Sequence, residues 1–95
     1  MNRVQDKSGR QELAKFLKDG REAVGLSQIE VSQKMGYTSP QFVSNWERGL
    51  AKPPLSALSK LIKLYGVNSE EILDRYVLTT KRALEKVFFK SKAQR

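Results

Sequence analysis

The sequence contains no cysteine and no histidine. Disulfides, thiolate or imidazole metal sites, and Cys- or His-based nucleophile–base pairs are therefore excluded. No paired-carboxylate or glycine-rich phosphate motif takes their place, so catalysis is not expected and no metal or cofactor is implied. Long apolar runs are missing too; nothing approaches the roughly 20 residues that span a bilayer. The opening "MNRVQDKSGRQ" lacks the apolar stretch of a secretory signal. A soluble, cytoplasmic protein is the expectation. Acidic residues are scarce, 10 against 18 Lys and Arg, for a net charge of +8. So basic a chain attracts polyanions, nucleic acid before acidic membrane or acidic protein.

The 95 residues make one domain by size. Their charge is uneven: net +2 over residues 1–26, +3 over 27–66, −2 over 67–80 and +5 over 81–95. The C-terminal segment is the most basic, so charge alone does not locate a nucleic-acid surface. Repeats and low-complexity tracts are absent.

Apolar residues recur at helical spacing and nowhere alternate as in a strand. Five helices are predicted. The first runs from Ser8 to Val24, with Leu13, Phe16, Leu17 and Val24 on one stripe and Gly25 at its end. The second starts at Ser27, whose partner Glu30 completes a capping box. Ile29 or Val31, then Met35, form its apolar face, and Gly36 ends it. The third starts with Ser39 as cap and Pro40 at the first position, where a missing N–H costs nothing. Val43 and Trp46 point inward, and Gly49 closes it. After the connector "LAKPP", the fourth runs from Leu55 to Tyr65 with Leu58, Leu61, Ile62 and Tyr65 inward. The fifth starts at Asn68 or Ser69, with Glu70 and Glu71 favouring its positive end. No breaker follows, so it continues to about Lys90 as one helix, or as two joined near Thr79–Thr80. Ile72, Leu73, Tyr76, Val77, Thr80, Ala83, Leu84, Val87 and Phe88 carry its apolar stripe. Within it, Leu73, Val77, Thr80, Leu84 and Val87 have a short coiled-coil spacing.

"SQIEVSQKM" and "SPQFVSNWER" are two short helices joined by a glycine-led turn, the helix-turn-helix layout. In that layout the second of the pair lies in the major groove, its first residues against base edges. Gln41 and Asn45 share one face, opposite Val43 and Trp46, and their amides can bond adenine bidentately. Thr38, Ser39 and Ser44 flank that face and allow close approach. Gln28, first in its helix, presents an amide at a positive helix end, a natural phosphate site. Arg48 and Lys52 flank the end of the third helix and suit backbone phosphates. Phe42 is open to two readings, packing on the connector or contact with a thymine methyl; packing is favoured.

The same stretches resemble the Xre/Cro family, the lambda-repressor-like DNA-binding domains. Arg21 one turn before "GLSQ", then "GLSQIEVSQKMG", "FVSNWERG", "KPPLSALSKLIKLYGV" and "SEEIL" follow the family's order. The resemblance covers residues 12–73, about two-thirds of the chain. It implies an all-α, five-helix lambda-repressor-like fold and a phosphate contact at Gln28. It also implies that Arg21 and Glu47 form a structural ion pair between the first and third helices, rather than touching DNA. Three departures stand out. Ser32 replaces the usual alanine, and is expected to bond back to its own helix. The turn through Tyr37–Thr38 is one residue longer than in the tightest relatives. Pro40 stands where many relatives place a base-reading polar side chain, so it touches a thymine methyl or only fixes the helix start.

The expected organisation is a flexible tail at 1–7, a helix-turn-helix domain at 8–73, and a basic helical extension at 74–95. The expected function is sequence-specific binding of double-stranded DNA by a bacterial or phage transcriptional regulator, most plainly a repressor. One recognition helix discriminates too few bases to find a site in a genome, so a homodimer on a palindromic operator is expected. The fifth helix and its extension are expected to supply a dimerisation or partner-binding surface, through Ile72, Tyr76, Val77, Leu84, Val87 or Phe88. Lys81, Arg82, Lys86, Lys90, Lys92 and Arg95 form a solvated face, or else a tail that adds phosphate contacts. The alternative function is an antitoxin or a bridging factor whose main role is to bind a protein partner, a toxin or the transcription machinery.

Overall fold

The computed structural model describes residues 10–93, and the side chains of 11–89. The expected tail at 1–7, the Ser8 start and the side chains of Lys90, Lys92 and Arg95 lie outside the described residues. Within them there are five helices and no strand: α1 (Arg10–Ala23), α2 (Gln28–Met35), α3 (Gln41–Glu47), α4 (Leu55–Tyr65) and α5 (Ser69–Ala93).

One core joins all five. It is built from Leu13 and Leu17 of α1, Val31 and Met35 of α2, Val43 and Trp46 of α3, Ala57, Leu58, Leu61 and Tyr65 of α4, and Ile72 of α5. α1 lies at its centre, packed on α3, α4 and α5, while α2 packs on α3. For the apolar face of α2 the structure selects Val31, fully buried, over Ile29, which is 49% exposed. Val24 does not join the stripe of α1; that helix stops at Ala23, and Val24 stands in the following turn, 43% exposed.

Caps set the boundaries of α2. The Ser27 hydroxyl accepts from Glu30 N–H at 3.1 Å, and the Glu30 carboxylate accepts from Ser27 N–H at 2.8 Å. The bond from the Ser27 backbone, helped by its hydroxyl, holds the Glu30 carboxyl below the ordinary carboxylate range. At the other end Gly36 is left-handed at φ 87, and Tyr37 N–H reaches back to the Ser32 carbonyl at 2.9 Å. A side chain at that position would meet the steric cost of the left-handed region.

α3 starts one residue later than expected. Pro40 takes the cap position, at φ −79 and ψ 6, and its carbonyl accepts from Ser44 N–H at 2.8 Å. The Ser39 hydroxyl is 3.4 Å from Gln41 N–H, a long bond, so Ser39 caps only weakly. α5 is one helix of 25 residues. Asn68 caps it, its side-chain oxygen accepting from Glu71 N–H at 2.9 Å. The Thr79 and Thr80 hydroxyls donate to the carbonyls of Arg75 and Tyr76 at 2.9 and 3.2 Å, within the same helix. The threonines are thus satisfied without a break in the backbone, which is why no joint forms there.

Ser32 departs from expectation. It is fully buried, and its hydroxyl has no hydrogen-bond partner among the described residues. The anticipated bond to its own helix is not made, and burial removes water as a substitute. A buried, unsatisfied hydroxyl costs roughly 1–3 kcal/mol. Ser32→Ala is therefore expected to raise stability by about 1 kcal/mol, read as a higher urea midpoint at unchanged slope. A lower midpoint would mean that the hydroxyl has a partner in solution.

Candidate nucleic-acid interface

Three helices meet at one carboxylate. Arg21 of α1 donates from Nε to Glu47 Oε2 at 2.7 Å and from Nη2 to Oε1 at 2.9 Å. Its Nη1 donates to the Leu26 carbonyl at 2.8 Å. Gln28, first residue of α2, donates from Nε2 to Glu47 Oε1 at 3.0 Å. The side chains of Arg21 and Glu47 are only 10% and 3% exposed. Hydrogen bonding to Glu47 raises the Arg21 guanidinium above its ordinary value, against the pull of desolvation. The end of α3 is thereby tied to α1 and to the start of α2, which fixes how the two helices of the motif cross. Arg21 also approaches Glu22 at 3.9 Å, a distant and exposed partner.

α3 divides cleanly between inside and outside. Val43 and Trp46 are buried, Gln41 is exposed, and Ser44 and Asn45 are half-buried. Gln41 Nε2 donates to Asn45 Oδ1 at 3.0 Å, one turn along the same face. Thr38 and Ser39 are exposed in the turn before the helix, Pro40 is half-buried at its edge, and Arg48 is exposed at its end. Gly49, left-handed at φ 74, stops the helix. It is buried, and a Cβ there would come 2.5 Å from the Gln11 amide nitrogen.

Two expected neighbours lie elsewhere. Phe42 is 55% exposed and stacks on Tyr37 at 5.0 Å between ring centres; Tyr37 in turn meets Trp46 edge-on at 6.1 Å. Tyr37 of the turn thus forms an aromatic bridge between Phe42 and Trp46. Lys52 is half-buried and faces α5, its ammonium donating to the Thr80 hydroxyl and lying 4.9 Å from the centre of the Tyr76 ring. The Tyr76 hydroxyl donates to the Pro53 carbonyl at 2.7 Å. A phosphate bound by Lys52 would first have to draw it from this clasp. Sequence spacing carried no sign of the clasp, because its two halves lie more than twenty residues apart. The gathering of Lys52, Pro53 and Tyr76, a cation, a loop carbonyl and an aromatic hydroxyl, is the kind of set that only a fold brings together.

Ile72, expected on the pairing surface, is instead fully buried in the core, and beyond Thr79 no described side chain of α5 is buried. Val77, Leu84, Val87 and Phe88 are 60–68% exposed and line an apolar groove with Tyr76 and Thr80. No helix among the described residues is long and apolar enough to cross a membrane, and no cluster of acidic side chains there could hold a metal ion.

A family model for the helix-turn-helix matches residues 17–72, more than half of the chain. Comparison with curated proteins and with solved structures finds no match in either. The matched span runs from the middle of α1 through the tied pair α2–α3 to the start of α5, and so contains both the ion pair and the outward amide face. The chain therefore belongs to the Xre and lambda-repressor-like helix-turn-helix family of DNA-binding transcription regulators.

Proposed function

We propose that this protein is a bacterial or phage transcriptional repressor, acting in the cytoplasm as a homodimer on a palindromic operator in double-stranded DNA. The observation that carries this reading is the outward pair Gln41–Asn45, presented by a helix whose other face is locked into the core by Val43, Trp46 and Glu47. Gln41 and Asn45 meet base edges in the major groove, with Thr38, Ser39 and Ser44 close to bases or phosphates. Pro40 cannot donate, so it leaves readout at the front of the helix to Ser39 and Gln41. Gln28 and Arg48 contact the DNA backbone, and Lys52 joins them on leaving its clasp. Half-sites lie about one helical turn apart, and the exposed apolar side chains of α5, Val77, Leu84 and Val87, pair the two copies.

Selection of bound sequences from a random DNA pool tests the reading. A two-fold motif is expected, and a pool without a motif refutes sequence-specific binding. Gln41→Ala is expected to blur one column of the motif in each half-site. Gln28→Ala is expected to weaken all sequences alike. Equal behaviour of the two variants would mean that the reading face is assigned to the wrong side chains.

The same exposed seam favours a second reading, in which α5 binds another protein, as an antitoxin binds its toxin or a bridging factor binds the transcription machinery. Stoichiometric co-purification of a partner from the native host, with loss of self-association in its presence, would distinguish it from the repressor reading.

A further inference from the structure

Lys52 is held by two side chains that also line the apolar groove of α5. Its ammonium donates to the Thr80 hydroxyl and lies 4.9 Å from the centre of the Tyr76 ring. Thr80 and Tyr76 border the groove together with Val77, Leu84, Val87 and Phe88. The next residue of the connector is tied to the same place, since the Tyr76 hydroxyl donates to the Pro53 carbonyl at 2.7 Å. The connector that follows α3 and the apolar face of α5 thus share one cation.

Two events each require that cation to move. A DNA phosphate draws the ammonium away from Thr80 and Tyr76, because a phosphate sharing it in place would lie against an apolar groove, where an anion is poorly solvated. A second copy seated on the groove covers Thr80 and Tyr76, and an ammonium trapped beneath it loses water without a new partner. Glu85, which also borders the groove, already has the Lys81 ammonium at 3.9 Å. Either event alone bears the full cost of releasing Lys52. When both occur, that cost is borne once.

We propose that Lys52 couples the two sites: its release from Thr80 and Tyr76 is common to DNA binding and to pairing through α5, so each event promotes the other by the same factor. The inference rests on the reading that Lys52 reaches the DNA backbone and that α5 pairs two copies. One hydrogen bond and one cation–π contact, both partly exposed, correspond to a factor of about five.

The test uses the full chain, with sedimentation in the absence of DNA and anisotropy titration of a short duplex of random sequence. Lys52→Gln removes the charge and keeps a polar side chain. It is expected to tighten DNA-free self-association about fivefold, while weakening duplex binding and reducing its salt slope by about one. A phosphate ligand with no tie to α5 would leave DNA-free self-association unchanged, and a merely structural lysine would weaken both. Lys63→Gln, which removes an exposed charge from α4, controls for net charge and is expected to leave self-association as it is. Thr80→Ala frees Lys52 without removing it. It is expected to strengthen duplex binding about threefold, a gain that disappears when Lys52→Gln is added. Thermal melts check that each variant is folded. The proposal is overturned if Lys52→Gln self-associates no better than the wild type, or if Lys63→Gln tightens self-association equally. A Thr80→Ala gain that is absent, or that survives in the Lys52→Gln background, also overturns it. A wild type that stays monomeric, or that does not bind the duplex, overturns the parent reading itself and the coupling with it, an outcome distinct from failure of the variants beside a paired, DNA-binding wild type.

Discussion

Glu47→Ala is expected to lower the free energy of unfolding by about 3 kcal/mol. The substitution removes the acceptor of two Arg21 bonds and one Gln28 bond at once. What is left is a guanidinium whose side chain is 10% exposed, with the Leu26 carbonyl as its one good partner and Glu22 at 3.9 Å as a weak one. A buried pair is worth little when compared with well-packed apolar residues, but breaking it leaves an uncompensated charge, and that is the costly case. For a domain near 100 residues each kcal/mol moves the midpoint by roughly 4–8 °C, so a fall in Tm of more than about 10 °C is expected. A change below about 0.5 kcal/mol would sink the idea that this pair holds the motif together. Ala in place of Glu30 provides the contrast. It removes an exposed capping interaction and is expected to lower Tm by much less than Glu47→Ala does.

Leu84→Glu should leave the fold intact and reduce operator affinity by about a hundredfold or more. Leu84 is 66% exposed in the single chain, so it contributes little to the core. In the proposed dimer it lies at the middle of the seam, where a buried carboxylate without a partner is strongly disfavoured. The affinity loss follows because tethered half-sites gain roughly 10²–10⁴ over separate ones. Sedimentation at micromolar concentration should show a dimer for the wild type and a monomer for the variant. Equal sedimentation and equal operator binding by the two proteins would exclude α5 as the pairing surface. A wild type that stays monomeric with and without operator DNA would exclude the dimer itself.

Much of this architecture was written in local chemistry. Gly36 and Gly49, the Ser27–Glu30 box and the run from Leu55 to Tyr65 each act within a few residues, and the structure follows them. The division of α3 into an inner and an outer face follows from helical spacing alone. Features that depend on distant partners were not legible. Val31 lies one turn before Met35 and about 40° from it around α2, whereas Ile29 lies about 120° away. Spacing therefore leaned toward Val31, but a helix of only eight residues gave it a single turn of support. The Ser32 hydroxyl depended on whether its rotamer found a carbonyl, which periodicity does not encode. The contact of Phe42 with Tyr37 depended on how the turn folds back on α3, which spacing does not encode. At the candidate interface the shared face of Gln41 and Asn45 could be read from the sequence, but the hydrogen bond between their side chains could not. Lys52 looked like a phosphate ligand by sequence position, and the fold turned it toward Thr80 and Tyr76.

α5 carries one more consequence. It is unbroken from Ser69 to Ala93, anchored at Ile72 and Thr79 and clear of the core thereafter, and it helps give the molecule its long axis of 48 Å against 26 and 25 Å. Such a helix is a shaft, and on a shaft length and rotational phase cannot be changed separately. One residue inserted after Thr80 would advance the free end by about 1.5 Å and turn Leu84 and Val87 by about 100°, away from any partner that met them before. Insertions of three or four residues nearly restore the phase and move the contact by about one turn. The arm can therefore drift in length only in steps of a helical turn, and relatives that pair through it should differ by such steps.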